Sequence, residues 1–232
     1  KFMLQVEDSY HDALIEIGEE DTVRMMINGR LTTDIGACVH LGFETKKEAA
    51  RAVLFVPNSQ LFLEELEKAM VDPGVWSLVE KKGSHTRISR EVVSRAVGEL
   101  LTEVTPRFGE LYARREYPDR SSTYVRLKDL GGGVERALLA LMWLDALEPD
   151  VVIWDDFESI MHPSLIRASL EWLLKKDWQI VLSTHSADVL SWLAGARIPR
   201  KEAQVLVLAR DESDRLVWRG MGLDGLEEAI SG

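Results

Sequence analysis

The stretch VVIWDDFESIMHPSL, Val151 to Leu165, ends an apolar run in two adjacent carboxylates, Asp155 and Asp156, and Glu158 follows close behind. Val151 to Trp154 reads as a buried strand. In parallel α/β sheets the carboxyl end of a strand is where ligands bind. A carboxylate there can hold Mg²⁺ through its waters, and the next acid can orient or polarise a water for attack on a phosphate. Acids this close repel one another, so the stretch calls for a cation or a basic partner. The plainer alternative is an acidic loop solvated after a strand.

Further pieces lie on either side. Upstream, DLGGGVER, Asp129 to Arg136, sets Gly131, Gly132 and Gly133 at the start of a helix. Glycine is a poor helix former, and a run of it leaves bare backbone N–H groups at a helix N-terminus, which is an anion site. A flexible turn is the competing reading. Downstream, IVLSTHSADV puts His185 just after an apolar strand. An imidazole there can reach a phosphate oxygen or an attacking water, although a lone histidine in that place is more often a polar loop residue. Coincidence of all these motifs in one order is far rarer than any one alone. His162, beside Pro163, is read equally well as a packed loop residue.

The elements that must position these residues follow from patterning. Residues 1 to about 56 are β-rich: FMLQVE, ALIEIG and TVRMMINGRLT partly alternate. Asn28-Gly29 is a strong hairpin turn, and AVLFVP, Ala52 to Pro57, is a continuous apolar run as in a buried strand. From 59 to about 115 the pattern turns helical. LFLEELEKAM aligns Leu63, Leu66 and Met70, and REVVSRAVGELLTEV places Val93, Ala96, Val97, Leu100, Leu101 and Val104 at helical spacing. From 122 onward TYVRL, DVVIW, QIVLS, AQVLVLAR and RLVWRG read as strands. VERALLALMWLDAL, PSLIRASLEWLLKK, SADVLSWLA and LDGLEEAI read as helices, the first so apolar that it must be buried. Alternating strand and helix with buried runs means a mostly parallel sheet covered on both faces. The expected organisation is a β-rich lobe over 1–57, a helical subdomain over 58–120 and an α/β core over 121–232.

The 232 residues, 46% hydrophobic and 29% charged, suit one large globular domain or a two-lobed one. A formal net charge of -11 argues against a surface that coats nucleic acid indiscriminately. The single cysteine, Cys38, excludes an internal disulfide and a cysteine-based zinc site and fits a reducing cytoplasm. The apolar run ALLALMWLDAL is broken by Asp145, and no run approaches the roughly 18 residues of a membrane span. The chain opens with KFMLQVEDSY, which reads as the inside of a strand, so a fragment or a processed chain is expected. Trp143, Trp154, Trp172, Trp178 and Trp192 lie in or beside apolar runs and are expected in the core.

The order of glycine-rich helix start, acidic strand end and strand-end histidine resembles the C-terminal part of an ABC-type ATPase head of the SMC, RecF and OLD kind. LGGGVER resembles the signature motif and VVIWDDFE the Walker B motif. SIMHPSL resembles the D-loop region of the subgroup whose pattern runs DE-x-E…LHP, and VLSTHS resembles the H-loop. The resemblance is specific over about 120 to 195 and loose elsewhere. It implies a P-loop NTPase (ABC-ATPase-like) core with a mostly parallel sheet, an N-terminal antiparallel β region and a helical insertion. It implies ATP and Mg²⁺ as cofactors. By position, Asp155 would bind Mg²⁺ through water, Asp156 would stand where the family has its catalytic Glu, and His185 would sense the γ-phosphate. Gly131, Gly132, Gly133 and Glu135 would contact the nucleotide of a partner subunit. Glu158, His162 and Pro163 also fit the subgroup pattern.

The chain departs from that pattern twice. It contains no G-x-x-x-x-G-K-[ST] phosphate loop; NGRLTT, Asn28 to Thr33, lacks the first glycine and the lysine and reads as a hairpin. In the family that loop precedes the first long strand region, so truncation is expected, with a degenerate subunit that borrows another chain's loop as the alternative. Asp156 is one methylene shorter than Glu. Misplacement of about 1 Å can cost roughly 100-fold in rate, so slow hydrolysis is expected. The implied assembly is a nucleotide-dependent homodimer, or a pair with a related ATPase subunit, acting in DNA maintenance or defence. The alternatives are a non-hydrolysing regulatory or scaffold module, and a vestigial site in a protein-binding molecule. Arg107, Arg114, Arg115, Arg120 and Arg126 form either an ordinary solvated face or a DNA-facing strip. No membrane insertion is expected.

Overall fold

The computed structural model describes residues 2–7, 12–17, 23–27, 30–32, 53–195 and 203–231, which divide into units Lys1–Leu54 and Phe55–Gly232. In the first unit β1 (Phe2–Glu7), β2 (Asp12–Ile17), β3 (Val23–Ile27) and β4 (Arg30–Thr32) form an antiparallel sheet in chain order. Ile27 pairs with Arg30, which leaves a two-residue connection between β3 and β4, the shortest common hairpin link. Asn28, Gly29 and Cys38 themselves lie outside the described residues.

The second unit begins within β5 (Val53–Val56). Its Val56 is buried, but Val53 and Phe55 are exposed, so the run read as fully buried has one open face. Ser59 then starts α1 (Gln60–Val71) by accepting the Phe62 N–H at 3.3 Å. The stripe of Leu63, Leu66 and Met70 is buried, as its spacing predicts. Asp72 caps α2 (Pro73–Lys82), accepting the N–H groups of Gly74 and Val75 at 2.8 and 3.2 Å. Gly83 ends it at φ +69°. α3 (Ser84–Ile88), a π-helical turn over Ser89–Val93 and α4 (Ser94–Val97) continue as one run that Gly98 closes at φ +71°.

The helical spacing read through to Val104 is overturned here, because Leu100–Arg107 is a strand, β6. A helix does not propagate through a left-handed glycine, and β-branched Thr102, Val104 and Thr105 suit an extended chain. Leu101 and Val104 would face opposite ways in a regular strand. The pairing with β7 (Glu110–Glu116) slips between Leu101 and Glu103, and that irregularity lets both be buried while mimicking a helical period. β8 (Ser122–Arg126) completes an antiparallel sheet, β6-β7-β8, so TYVRL is a strand but lies outside the parallel pair.

A 3-10 turn over Leu127–Leu130 leads into α5 (Gly132–Leu147), which is buried almost all round. α5 packs against α1, α2, α3 and α6 (Pro163–Leu173). Its one buried acid near the C-terminal end, Asp145, is held by Lys176 at 2.8 Å and by Arg87. Burial alone would push this carboxyl up, but the hydrogen bonds from Arg87 and Lys176 outweigh it and hold it below the usual range.

β9 (Val151–Trp154) and β10 (Gln179–Leu182) pair in parallel, and β5 flanks β9, giving the order β10-β9-β5. α7 (Ala187–Gly195) follows β10 and has Ser186 before it, whose Oγ accepts the Val189 N–H at 3.4 Å. A hairpin of β11 (Gln204–Arg210) and β12 (Leu216–Gly222) and a last helix, α8 (Leu223–Ser231), end the described chain. Trp76, Trp154 and Trp172 are buried; Trp143, Trp178 and Trp192 are half-buried and Trp218 is exposed. Among the described residues no helix is long and apolar enough to cross a membrane.

Candidate functional site

The register of the parallel pair sets the site. Leu182 lies opposite Trp154, so both strands end together and Ser183 emerges beside Asp155. The main chain is tied there. Asp155 N donates to Val56 O at 2.9 Å, Ser183 N to Trp154 O at 3.0 Å, and Phe157 N to Ser183 O at 3.1 Å. The Ser183 hydroxyl then serves both acids: it accepts the Asp156 N–H at 2.7 Å and donates to Asp155 Oδ1 at 2.6 Å.

Asp156 has φ +48°, a left-handed conformation in which Asp and Asn are enriched among non-glycine residues. Its carboxylate is gripped from two sides. Asn58 Nδ2 donates to Oδ2 at 2.6 Å, and His185 Nδ1 lies 3.0 Å from Oδ1. The same imidazole nitrogen is 3.3 Å from Glu158 Oε1, which also accepts the His185 backbone N–H at 3.0 Å. The Glu158 side chain is only 10% exposed, whereas that of His185 is 82% exposed. Burial pushes the Glu158 carboxyl up; Thr184, the local main chain and His185 more than offset this, so the net shift is downward and Glu158 is ionised at neutral pH. Its Oε2 is buried without a hydrogen-bond partner.

The basic partner that the acids call for is Arg136, at the second turn of α5. It is 1% exposed, donating from Nη2 to Asp155 O at 3.2 Å and from Nη1 to Pro57 O at 3.4 Å. Its guanidinium lies 5.9 Å from the Trp154 ring. Burial lowers its pKa, and the charges of Asp156 and Asp155 oppose that shift. A buried Arg beneath the strand ends therefore offsets part of the repulsion among the acids.

The glycine run abuts the loop that carries Glu158. A Cβ on Gly133 would stand 2.5 Å from Ile160 O and 2.9 Å from Met161 Cα. One on Gly132 would meet only the flexible Ile160 Cδ1, at 3.2 Å, and Gly131 sits at φ +96° with nothing near. Gly131 and Gly132 are exposed at the start of α5, while Glu135 is buried, its carboxyl pushed up by burial and by Glu67. His162 has a plain structural use. It caps α6, its Nδ1 accepting the Ser164 N–H at 3.3 Å, with Pro163 at the first helical position.

The structure thus brings Asp155, Asp156 and His185 together with Glu158, and sets Gly132 and Gly133, but not Gly131, against the far end of the same loop. The ligand atoms that converge, all within 4.8 Å of one another, are those of Asp156, Glu158 and His185. Asp155 is not among them; its Oδ1 accepts the Ser183 hydroxyl. Two carboxylates and an imidazole whose donor atoms converge fit a divalent cation, and the exposed N–H groups of Gly131 and Gly132 fit an anion. Sequence reasoning missed Ser183, Asn58 and Arg136 as parts of this arrangement. Ser183 was legible only given the strand register, and Arg136 stood unremarked inside the glycine motif. The arginines at 107–126 are largely engaged. Arg107 stacks on Tyr124 at 3.3 Å, Arg126 pairs with Asp129 at 2.7 Å, Arg114 with Glu116 at 3.4 Å, and Arg115 with Glu99.

The fold matches solved structures of SMC heads. One is an Smc head bound to the C-winged helix domain of ScpA: TM-score 0.60, 9% identity, covering 96% of this chain and 71% of that one. Another is an Smc head with an extended coiled coil bound to the C-terminal domain of ScpA, derived from Pyrococcus furiosus: TM-score 0.54, 9% identity, covering 95% and 74%. No curated protein matches this chain in sequence. The architecture is that of an SMC-like ABC/AAA ATPase head. Residues 12–191 match the family described as "AAA domain, putative AbiEii toxin, Type IV TA system", and the chain belongs to that family.

Proposed function

We propose that the chain forms part of an ATP-binding and ATP-hydrolysing head that works as a nucleotide-dependent dimer, with itself or with a related ATPase subunit. The observation that carries the reading is the convergence of Asp156, Glu158 and His185 at the carboxyl end of a parallel strand pair, beside Asp155. Asp155 would hold Mg²⁺ through water, the ion neutralising charge on the phosphates. Asp156, fixed by Asn58 and His185, orients the attacking water. His185, whose side chain is exposed, would meet the γ-phosphate. Gly131, Gly132 and Gly133, with Glu135 behind them, offer the start of α5 to the nucleotide of the other subunit. The reading requires a G-x-x-x-x-G-K-[ST] phosphate loop, which these 232 residues do not contain, to come from another segment or chain.

The test is Mg·ATP-dependent dimerisation, followed by sedimentation with and without the loop-bearing segment, for wild type and Gly132→Asp. Gly132 is the glycine to change, because a side chain there meets no backbone. Its added charge would repel phosphate while leaving the fold intact. Full retention of ATP-dependent dimerisation in Gly132→Asp overturns the reading. Calorimetry of Mg·ATP on this chain alone should show no tight binding; a Kd near 1 μM, about -8 kcal/mol, would mean the phosphates are held without a phosphate loop.

A second reading, a non-hydrolysing regulatory or scaffold module, is favoured by Asp156 standing where Glu would reach further. Absence of turnover when the loop-bearing segment is present would select it. We place the activity in DNA maintenance or defence, on the strength of the family and of the SMC-head fold. Since most arginines of the 107–126 strip already have partners, DNA binding by that strip is expected to be weak and strongly salt-dependent.

A further inference from the structure

We propose that Ser183 is a positioning residue for ATP hydrolysis: its hydroxyl fixes the Asp155 carboxylate and the Asp156 main chain in one relation to each other. The inference rests on the hydrolytic reading above. It adds to that reading a residue beyond the acids, the histidine and the glycines.

The main chain shows that the hydroxyl is not needed to join the strands. Asp155 N donates to Val56 O at 2.9 Å, Ser183 N to Trp154 O at 3.0 Å and Phe157 N to Ser183 O at 3.1 Å. All these bonds use backbone atoms, so they survive in Ser183→Ala. The Ser183 side chain is exposed and is not part of the core. Both of its hydrogen bonds go to the acid turn instead: Oγ accepts the Asp156 N–H at 2.7 Å and donates to Asp155 Oδ1 at 2.6 Å.

The polarity of this pair is forced. A backbone N–H can only donate, so Oγ accepts there and its one proton goes to Asp155. The 2.6 Å separation lies in the short range of a hydroxyl bonded to a carboxylate. Asp155 is exposed, so packing does not hold its carboxylate, and the Ser183 bond limits its rotation. Asp156 stands at φ +48°, a backbone state that persists where its surroundings support it. Ser183 Oγ supports it by receiving its N–H, while Asn58 and His185 hold its side chain. One hydroxyl thus ties the acid that would hold Mg²⁺ through water to the acid that would orient the attacking water. Outer-sphere partners of this kind change metal affinity or activity by about 10- to 100-fold.

The experiment compares wild type, Ser183→Ala and Ser183→Thr in two settings. In the nucleotide-free 232-residue chain, amide exchange by NMR should show the Asp156 N–H exchanging at least about 10-fold faster in Ser183→Ala. Ser183→Thr, which keeps the hydroxyl, should match wild type, and the urea midpoint should be the same in all three. With the loop-bearing segment present, Ser183→Ala should lower kcat by at least about 10-fold with KM for ATP within about 2-fold, and Ser183→Thr should restore it. Mg·ATP-dependent dimerisation should persist in Ser183→Ala. Unchanged kcat or unchanged Asp156 exchange in Ser183→Ala overturns the proposal. So does a Ser183→Thr as slow as Ser183→Ala, or a kcat that falls only in step with the urea midpoint, which would mark a structural role. Wild type that neither dimerises nor turns over would instead sink the hydrolytic reading, and this inference with it.

Discussion

Gly133→Ala separates packing from ligand approach as the reason for the glycine run. The new methyl would meet Ile160 O at 2.5 Å and Met161 Cα at 2.9 Å, both backbone atoms that cannot rotate away. Forcing an extra carbon into a filled space costs about 1–3 kcal/mol. Against this, Ala favours a helix over Gly by up to about 1 kcal/mol, less in a first turn. The steric term wins, and the net loss should be about 1–2 kcal/mol, or roughly 2–8 °C in melting temperature for a chain of this length. Gly132→Ala is the internal control. Its methyl meets only the movable end of Ile160 at 3.2 Å, so stability should stay within about 0.5 kcal/mol of wild type. Gly131→Ala tests conformation alone, because nothing lies near it but its φ of +96° and ψ of 142° suit glycine almost exclusively; an Ala there should cost about 1–3 kcal/mol. Urea unfolding of the variants measures all of this. If Gly133→Ala matched wild type, or Gly132→Ala cost as much as Gly133→Ala, contact with the Ile160 loop would not be what requires glycine.

Asp145→Ala should cost about 2 kcal/mol, at the low side of a broken buried pair because Arg87 and Lys176 remain partly hydrated. The Asp145 carboxyl is held below its unfolded value, so its stabilisation is present above about pH 4 and is lost as pH falls through the folded pKa. The gap between wild type and variant in urea should therefore close on acidification below pH 4; a gap that widened would reverse the assignment. Asn58→Ala removes the 2.6 Å bond to Asp156 Oδ2 and should lower ATP turnover by about 10-fold, measured with the loop-bearing segment present. Its effect on urea stability should stay under about 0.5 kcal/mol, since the pair is exposed.

The parts of the site legible in the sequence were those carried by residue type at a strand or helix end. Asp155, Asp156 and His185 each follow an apolar strand, and the parallel pairing of β9 and β10 brings those ends together. What was not legible depends on register and on distance along the chain. Asn58 reaches Asp156 across a separation of 98 residues, and no local pattern marks such a partner. Ser183 acts on Asp155 and Asp156 only because Leu182 pairs with Trp154. The strand β6 was hidden for a different reason. Leu100, Leu101 and Val104 satisfy a helical period and a bulged strand equally, and only the left-handed Gly98 decides between them. The glycines show a third case. Their exposure at a helix start suits an anion, but at Gly133 the demand comes from the backbone of a neighbouring loop.

Asp156 joins these strands of reasoning, because the residue type answers to two demands at once. Reach favours Glu: an added methylene would carry the carboxylate toward an attacking water. Backbone favours Asp: φ is +48°, where Asp and Asn are enriched among non-glycine residues. The existing contacts also fit the shorter side chain, with one oxygen at 2.6 Å from Asn58 Nδ2 and the other at 3.0 Å from His185 Nδ1. Asp156→Glu should therefore lose about 0.5–1 kcal/mol of stability through the left-handed backbone and the displaced partners. It should still hydrolyse ATP faster, because reach acts at the reacting water, where about 1 Å is worth roughly 100-fold. Unfolding by urea reads the first effect and single-turnover kinetics with the loop-bearing segment reads the second. A variant that is less stable and no faster would mean that the grip of Asn58 and His185, and not side-chain length, sets where the water is held.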